Sequence, residues 1–207
     1  MTEHYAPLYI ETSKLKIIVF GGGNVALRKC RYFEGSEITV MAKEILPELE
    51  KVVSKTVVGA IPDDLKGLIE PYDLVVAATD SKELNCRIRD QALSMGVYVN
   101  SAHGGGNVLI PSVLERDGYT VAVSSKGKVP AFPPYVVEEL DSFLDGRFDR
   151  MLGLMAEMRE MAMKSIPTQP ARKEFLQSVI NDPEIRKAVA EGRMGDARGL
   201  ALRKGSF

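Results

Sequence analysis

Hydrophobic and polar positions fall into two alternating patterns along the first hundred residues. Short apolar runs rich in β-branched residues predict strands buried on both faces, and longer segments with apolar residues at helical spacing lie between them. The predicted strands are KLKIIVF (14–20), SEITVMA (36–42), KTVVGA (55–60), YDLVVAATD (72–80) and VYVNSAH (97–103). Strands that alternate with helices in this way indicate a parallel, doubly wound α/β sheet.

The segments between these strands predict helices over 24–35, 44–55 and 82–96, and a loop over 61–67. Asp80 stands before the last of these helices, and Glu83 follows three residues later, which is the spacing of a capping box. We therefore predict that Asp80 is the N-cap of that helix.

The pattern changes after residue 103. A glycine-rich loop and a short strand lead into a hairpin that ends in YTVAVSS (119–125), and a Pro-rich loop then leads into a further helix. The composition is helical from Asp149 onward, with breaks predicted at 165–170, 181–184 and 192–199. These shifts divide the chain into an α/β domain (1–112), a connecting segment (113–145) and a C-terminal helical domain (146–207).

Composition excludes several classes of protein. Of the 207 residues, 45% are hydrophobic and 27% are charged, which is the balance of a globular protein with a substantial core. The net charge of -1 gives no general attraction to nucleic acid or to a membrane surface, so an acidic ligand requires a local basic cluster.

Cys30 and Cys86 lie far from any CxxC pattern and are expected to be reduced thiols. Without an apolar leader or a membrane span in the sequence, a cytoplasmic location is expected.

The first predicted strand ends in a glycine loop. Gly21, Gly23 and Ala26 fit G-x-G-x-x-A between that strand and a helix. In this motif the first glycine permits a tight turn, the second lets a pyrophosphate approach the backbone, and the small third residue lets helix and strand pack closely. Unpaired N–H groups at the helix start attract the phosphates. The loop therefore predicts a dinucleotide site.

The end of the second predicted strand lacks the acidic residue that usually binds the adenosine ribose, because Met41 and Ala42 stand there. Lys43 and Glu44 follow directly. Lys43 favours a 2′-phosphate, as in NADP, and Glu44 favours the ribose hydroxyls of NAD. A solvated Lys–Glu pair is an equal alternative, so the spacing leaves the choice between the two cofactors open.

Several separated motifs occur in one order, namely GGGNVALRK (21–29), AATDSKELN (77–85), VYVNSAH (97–103) and IPSVLERDGYTVAVSSKGKVP (110–130). Together they resemble the precorrin-2 dehydrogenase/sirohydrochlorin ferrochelatase family, the siroheme-synthase module. The resemblance implies a Rossmann-like parallel sheet domain, a small dimerisation segment around the VAVSS hairpin, and a C-terminal helical domain in a homodimer. It implies oxidation of precorrin-2 to sirohydrochlorin with NAD⁺ as the hydride acceptor. Many members also insert Fe²⁺ as a second substrate, which is a lyase activity.

The resemblance also assigns site residues by motif. For the cofactor it implies Gly21, Gly22, Gly23, Asn24, Val25, Lys43, Glu44 and Thr79. The tetrapyrrole carries several carboxylates, and side chains that could meet them are Arg28, Lys29, Asn100, Arg116, Lys126 and Lys128. For each basic side chain, a solvated surface position is the alternative. No resident metal site is predicted.

The sequence departs from the family at one position. Members usually carry an aspartate three residues after the asparagine of the fifth strand, in a pattern like NVVD, but this chain has NSAH and so places His103 there. An imidazole can accept a proton near neutral pH and can bind Fe²⁺ through one nitrogen. The alternative is a loop histidine that bonds backbone groups. The change bears on chelation more than on dehydrogenation, because hydride transfer depends mainly on geometry and cofactor.

Ser125 matches the second serine of VAVSS and is therefore a catalytic candidate, although a serine that caps a turn is the alternative. Two functions follow from these observations. The first is an NAD-dependent precorrin-2 dehydrogenase. The second is a non-catalytic Rossmann module that senses a nucleotide or binds a tetrapyrrole, which the NSAH sequence leaves open and the VAVSSKGKVP segment opposes.

Overall fold

The computed structural model describes residues 4–205, which form two compact units. The first unit runs to Ile110 and includes Lys126–Lys128; the second comprises Pro111–Ser125 and the chain from Val129 onward. The second unit therefore contains residues of both the predicted dimerisation segment and the predicted helical domain. Dimerisation itself stays a prediction.

The first unit is built on a five-stranded parallel sheet in the order β3-β2-β1-β4-β5. Its strands are β1 (Lys16–Phe20), β2 (Glu37–Ala42), β3 (Lys55–Val58), β4 (Leu74–Ala77) and β5 (Tyr98–Ser101). Its helices are α1 (Asn24–Tyr32), α2 (Pro47–Glu50), α3 (Lys66–Ile69) and α4 (Lys82–Ser94). This architecture confirms the predicted Rossmann-like α/β fold.

Apolar side chains cover both faces of the sheet. Ile17 and Val19 of β1 belong to one core cluster, and Ile18 and Phe20 belong to the other, with none more than 2% exposed. Successive side chains of a strand point to opposite faces, so a run without polar residues requires cover on both sides. The sequence of β1 after Lys16 is a continuous apolar run because both faces of the strand are covered in this way.

Three local predictions differ from the structure. The helix predicted over 44–55 is the single turn α2. It begins only at Pro47, after the Leu46 N–H bonds the Gly22 carbonyl, and the chain is back at the sheet by Ser54, whose N–H bonds the Ile38 carbonyl of β2. The loop predicted over 61–67 contains the start of the short helix α3. The N-cap of α4 is Ser81, not Asp80, since the Ser81 hydroxyl accepts the Leu84 N–H at 3.2 Å.

The second unit begins with an antiparallel hairpin of β6 (Ser112–Glu115) and β7 (Thr120–Val123). Five helices follow, namely α5 (Phe132–Phe143), α6 (Gly146–Ser165), α7 (Gln169–Ile180), α8 (Pro183–Ala190) and α9 (Met194–Lys204). The predicted breaks at 165–170 and 181–184 are confirmed, since Thr168 caps α7 and Asp182 caps α8. The break predicted over 192–199 is shorter in the structure: Gly192, with a φ of 74°, separates α8 from α9, but α9 begins at Met194 and includes Gly195 and Gly199. Within residues 4–205, no helix has the length and apolarity to cross a bilayer.

Candidate functional site

The glycine loop lies between β1 and α1, and two of its glycines are required by the backbone around them. Gly21 has a φ of 125°, and a Cβ there would collide with the Ala78 carbonyl oxygen beyond β4. A Cβ on Gly22 would collide with the Glu44 carbonyl oxygen beyond β2. The first glycine thus makes the tight turn that the motif predicts. A glycine is needed at position 22 because of the contact with the Glu44 carbonyl, which the sequence motif does not predict.

Gly23 differs from both, because a Cβ on it would meet no protein atom within 4 Å. It is the N-cap residue of α1, and no side chain caps this helix start. Ala26 is fully buried against the sheet. The space beside Gly23 is therefore open, and no side chain caps the start of α1, which fits the phosphates of a dinucleotide.

Lys43 and Glu44 directly follow β2, and both are exposed. The Glu44 carbonyl lies against Gly22, so this pair borders the glycine loop at the carboxyl ends of the strands. In an open α/β sheet, ligands bind at that edge. The residues present fit a dinucleotide here, and the contact of Lys43 or Glu44 with its ribose stays a prediction.

A hydrogen-bonded group joins Thr79, Asn85 and His103 at the same edge. The buried Asn85 amide accepts the Thr79 N–H at 3.0 Å and the Thr79 hydroxyl at 2.8 Å. Its Nδ2 donates to the Thr79 carbonyl at 2.8 Å and lies 2.8 Å from His103 Nδ1. Thr79 N also neighbours Gly21. Thr79 and His103 are therefore brought together beside the glycine loop by Asn85, a residue that sequence reasoning missed.

Two signals for Asn85 were available in the sequence. It is an asparagine inside an amphipathic helix, where this residue type is unfavourable unless its side chain has partners. It also stands in AATDSKELN, one of the motifs that carry the resemblance.

The loop after β5 is fixed by backbone and side-chain bonds. The Ala102 N–H bonds the Ala77 carbonyl at 2.9 Å, which anchors the residue before His103 to β4. The Arg89 guanidinium of α4 donates to the Gly104 carbonyl at 3.4 Å. Gly106 has no room for a Cβ because the Val99 carbonyl oxygen lies against it. His103 is exposed, but its backbone is held on both sides.

Lys29 and Asn100 form a second polar pair. Lys29 Nζ donates to Asn100 Oδ1, and Asn100 Nδ2 donates to the Val108 carbonyl at 2.8 Å. Burial, with a smaller contribution from the nearby Arg28 charge, lowers the pKa of the Lys29 amine to about 8. Asn100 is only 6% exposed, and its amide contacts both Lys29 and the Val108 carbonyl.

The other predicted substrate residues are distributed over both units. Arg28, Lys126 and Lys128 are exposed. Arg116, in the second unit, donates to the Asp141 carboxylate at 2.7 Å and to the Leu144 carbonyl at 3.3 Å, so it ties β6 to the end of α5. Ser125 donates to the Val129 carbonyl at 3.0 Å and accepts the Val129 N–H at 3.2 Å. These bonds cap a turn, which is the alternative to a catalytic role given above. Their roles toward a substrate stay predictions.

Cys30 does not contribute a reactive thiol to this site. Both cysteines are free thiols, and Cys30 is fully buried in the sheet core. Burial raises the pKa of the Cys30 thiol to about 11, so it is protonated and unreactive at neutral pH. Within residues 4–205, no cluster of three His, Cys, Asp or Glu side chains could hold a metal ion.

Comparisons with known proteins agree with this geometry. Residues 8–112 match the model of a family described as "Putative NAD(P)-binding". Precorrin-2 dehydrogenase of Methanosarcina barkeri (strain Fusaro) is 30% identical over 199 residues, which are 92% of this chain and 89% of that protein. Siroheme synthase 3 of Aeromonas hydrophila is 28% identical over 206 residues, 95% of this chain but 43% of that protein. The chain thus spans less than half the length of that siroheme synthase.

A solved structure titled "SirC, precorrin-2 dehydrogenase" has the same fold, with a TM-score of 0.73 at 21% identity over 97% of this chain and 98% of that one. The parallel sheet, the open helix start at Gly23 and the polar group at the strand ends define a dinucleotide-binding Rossmann protein of the NAD(P)-binding class. Within that class, the chain belongs to the precorrin-2 dehydrogenase family. The resemblance inferred from the sequence motifs is thereby confirmed.

Proposed function

We propose that this protein oxidises precorrin-2 to sirohydrochlorin with NAD⁺, a step of siroheme biosynthesis. The observation that carries the proposal is the pairing of an open phosphate loop with the Thr79–Asn85–His103 group at one edge of the sheet. Family membership supplies the substrate class, since the relative from Methanosarcina barkeri is named for that reaction. Bound NAD⁺ supplies the hydride acceptor.

The proposal gives the residues of this chain three tasks. The glycine loop and the start of α1 hold the pyrophosphate, with Asn24 and Val25 supplying N–H groups. Lys43 or Glu44 meets the ribose, and Thr79 borders the nicotinamide end. Basic side chains meet the substrate carboxylates, with Lys29 held in place by Asn100.

Anaerobic incubation of the purified protein with precorrin-2 and NAD⁺ tests the reaction. We expect sirohydrochlorin and NADH to form in equal amounts, and a parallel reaction with NADP⁺ reports the cofactor preference. Nucleotide binding without turnover would overturn the dehydrogenase assignment in favour of the nucleotide-sensing alternative. Fe²⁺ insertion has no observation of its own in the structure and stays a prediction.

A Gly23→Ala variant tests the phosphate loop separately from folding. Its added methyl group meets no protein atom, and Gly23 has an ordinary negative φ of -96°, so the variant should fold. The methyl would occupy the approach to the helix N–H groups, and we expect the Kd for NAD⁺ to rise about tenfold or more, a loss of about 1.4 kcal/mol. Isothermal titration calorimetry measures it. Gly67→Ala, on the exposed face of α3 with equally open space, is the matched control and should bind NAD⁺ normally.

A homodimer in the cytoplasm completes the proposal. Large apolar side chains are exposed in the second unit between β7 and the end of α5, namely Phe132 (51%), Tyr135 (58%) and Phe143 (58%). Such a surface favours association with another chain. Light scattering after gel filtration should give twice the monomer mass of 22.7 kDa, and a Tyr135→Lys variant should reduce it. The two free thiols agree with a reducing compartment.

A further inference from the structure

The orientation of the Asn85 amide is determined by the backbone of Thr79. The Thr79 N–H can only donate, and it bonds one end of the amide at 3.0 Å, so that end is Oδ1. The Thr79 carbonyl can only accept, and it bonds the other end at 2.8 Å, so that end is Nδ2. The reverse orientation would place N–H against NH₂ and carbonyl against carbonyl.

This orientation fixes the role of His103 Nδ1. The second hydrogen of Asn85 Nδ2 points at Nδ1 over 2.8 Å, and an amide NH₂ has no lone pair with which to accept. Nδ1 is therefore the acceptor and carries no proton. A neutral imidazole then carries its proton on Nε2. Asn85 is fully buried, so water does not compete for the hydrogen-bonding groups of its own amide.

We infer that Asn85 holds His103 as the Nε2–H tautomer, and that His103 presents this N–H as a hydrogen-bond donor to an oxygen of the bound ligand. The ligand offers such oxygens as tetrapyrrole carboxylates or the carboxamide of the nicotinamide. Asn85 acts as a positioning residue, because it orients the imidazole and does not itself reach the ligand.

The same arrangement opposes the two roles that the sequence suggested for His103. A neutral imidazole with its proton on Nε2 has one lone pair, on Nδ1, and Asn85 occupies it. A proton or an iron ion could bind His103 only after the Asn85 contact was lost or the ring proton moved to Nδ1, opposite the amide NH₂.

The inference about the tautomer stands without a substrate, whereas the donor role rests on the proposed function. Nuclear magnetic resonance of the ligand-free protein with ¹⁵N-labelled histidine tests the tautomer. The sequence contains only His4 and His103, and a His4→Gln variant assigns the two signals. We expect His103 to show a fully unprotonated Nδ1 and a protonated Nε2, with the exposed His4 as the internal reference. A protonated Nδ1, or a mixture of tautomers like that of His4, would overturn the inference.

An Asn85→Asp variant replaces the hydrogen-bond donor that faces His103 Nδ1 with an acceptor. A carboxylate can still accept the Thr79 N–H, but it can only accept from His103, so the proton should move to Nδ1. A merely structural role of Asn85 would not change the tautomer. If the folded variant keeps the wild-type tautomer, Asn85 does not position the ring. If the variant does not fold, the wild-type spectrum still decides the question.

Two substitutions of His103 distinguish a role as hydrogen-bond donor from a role as general base. Asparagine retains an N–H donor, whereas aspartate is an acceptor and can serve as a base. For His103→Asn, we expect kcat/KM for precorrin-2 to decrease by no more than about threefold. For His103→Asp, we expect it to decrease by about tenfold or more. The reverse order would overturn the donor role. Absence of turnover in the wild type would instead overturn the proposed function and leave the tautomer result standing.

The Kd for NAD⁺ identifies which oxygen accepts the bond. An acceptor on the nicotinamide predicts that His103→Asp weakens NAD⁺ binding by the same factor as kcat/KM. An acceptor on the tetrapyrrole predicts an unchanged Kd for NAD⁺ and a raised KM for precorrin-2. If His103→Asp alters neither constant and leaves kcat unchanged, His103 donates to no ligand and the donor role is wrong.

Discussion

The glycine loop and the loop that carries His103 lie at the same edge of one sheet but obtain their geometry in different ways. Gly21 and Gly22 are held by neighbouring carbonyls against which no side chain fits, so the backbone itself makes the shape. His103 is positioned by the amide of Asn85, a residue 18 positions away on α4. Gly21 and Gly22 of the first region tolerate no added atom, whereas the second region depends on the identity of one polar side chain.

The largest effect is expected where the backbone makes the shape. Gly21→Ala puts a side chain at a φ of 125° and against the Ala78 carbonyl. We expect a loss of about 4 kcal/mol in the free energy of unfolding, from backbone strain together with overpacking. Urea denaturation followed by circular dichroism measures it. Gly67→Ala in α3 is the control and should be neutral or slightly stabilising. Equal stabilities of the two variants would contradict the required role of Gly21.

The next effect concerns the side-chain network. Asn85→Leu leaves the Thr79 N–H and carbonyl without their partners in a buried position. Each such group costs about 1–3 kcal/mol, so we expect a loss of about 3 kcal/mol in the free energy of unfolding. A loss below about 1 kcal/mol in the same urea assay would show that water replaces the amide.

Thr79→Val removes only a hydroxyl from that network and so separates the contribution of the Thr79 side chain from that of the Thr79 backbone. The Thr79 hydroxyl donates to Asn85 Oδ1 at 2.8 Å, and its loss should cost about 1 kcal/mol. The backbone atoms that orient the amide remain, so the His103 tautomer should not change. A changed ¹⁵N spectrum of His103 in this variant would mean that the hydroxyl, rather than the backbone, sets the orientation.

These two regions also differ in how far the sequence predicts them. The five strands, their parallel arrangement and the tight turn at Gly21 follow from apolar runs and one local motif. Thr79 and His103 could be placed at one edge because parallel strands end together. The contacts of Gly22 with Glu44 and of Asn85 with His103 join distant parts of the chain, and no local spacing encodes them.

The last effect concerns Lys29, where the environment shifts a pKa. The native pKa of about 8 is below the ordinary value of 10.5, so the native state binds fewer protons than the unfolded state between these values. The charged amine therefore disfavours folding below pH 8, and this cost is relieved as pH rises from about 8 to 10.5. The free energy of unfolding, compared between the wild type and Lys29→Met, should shift in favour of the wild type over that range. A pH-independent difference would contradict the lowered pKa.

The return of the chain after His103 has a consequence for the whole sheet. β5 pairs with β4 on one side only, so it is an edge strand. The Val99 N–H bonds Asn107 Oδ1 at 2.7 Å, and the Val99 carbonyl accepts the Val108 N–H at 3.1 Å. An edge with exposed backbone groups invites another chain to add a strand and aggregate. The glycines that let the loop turn back thus also protect the sheet, because an incoming strand would first have to displace Asn107 and Val108.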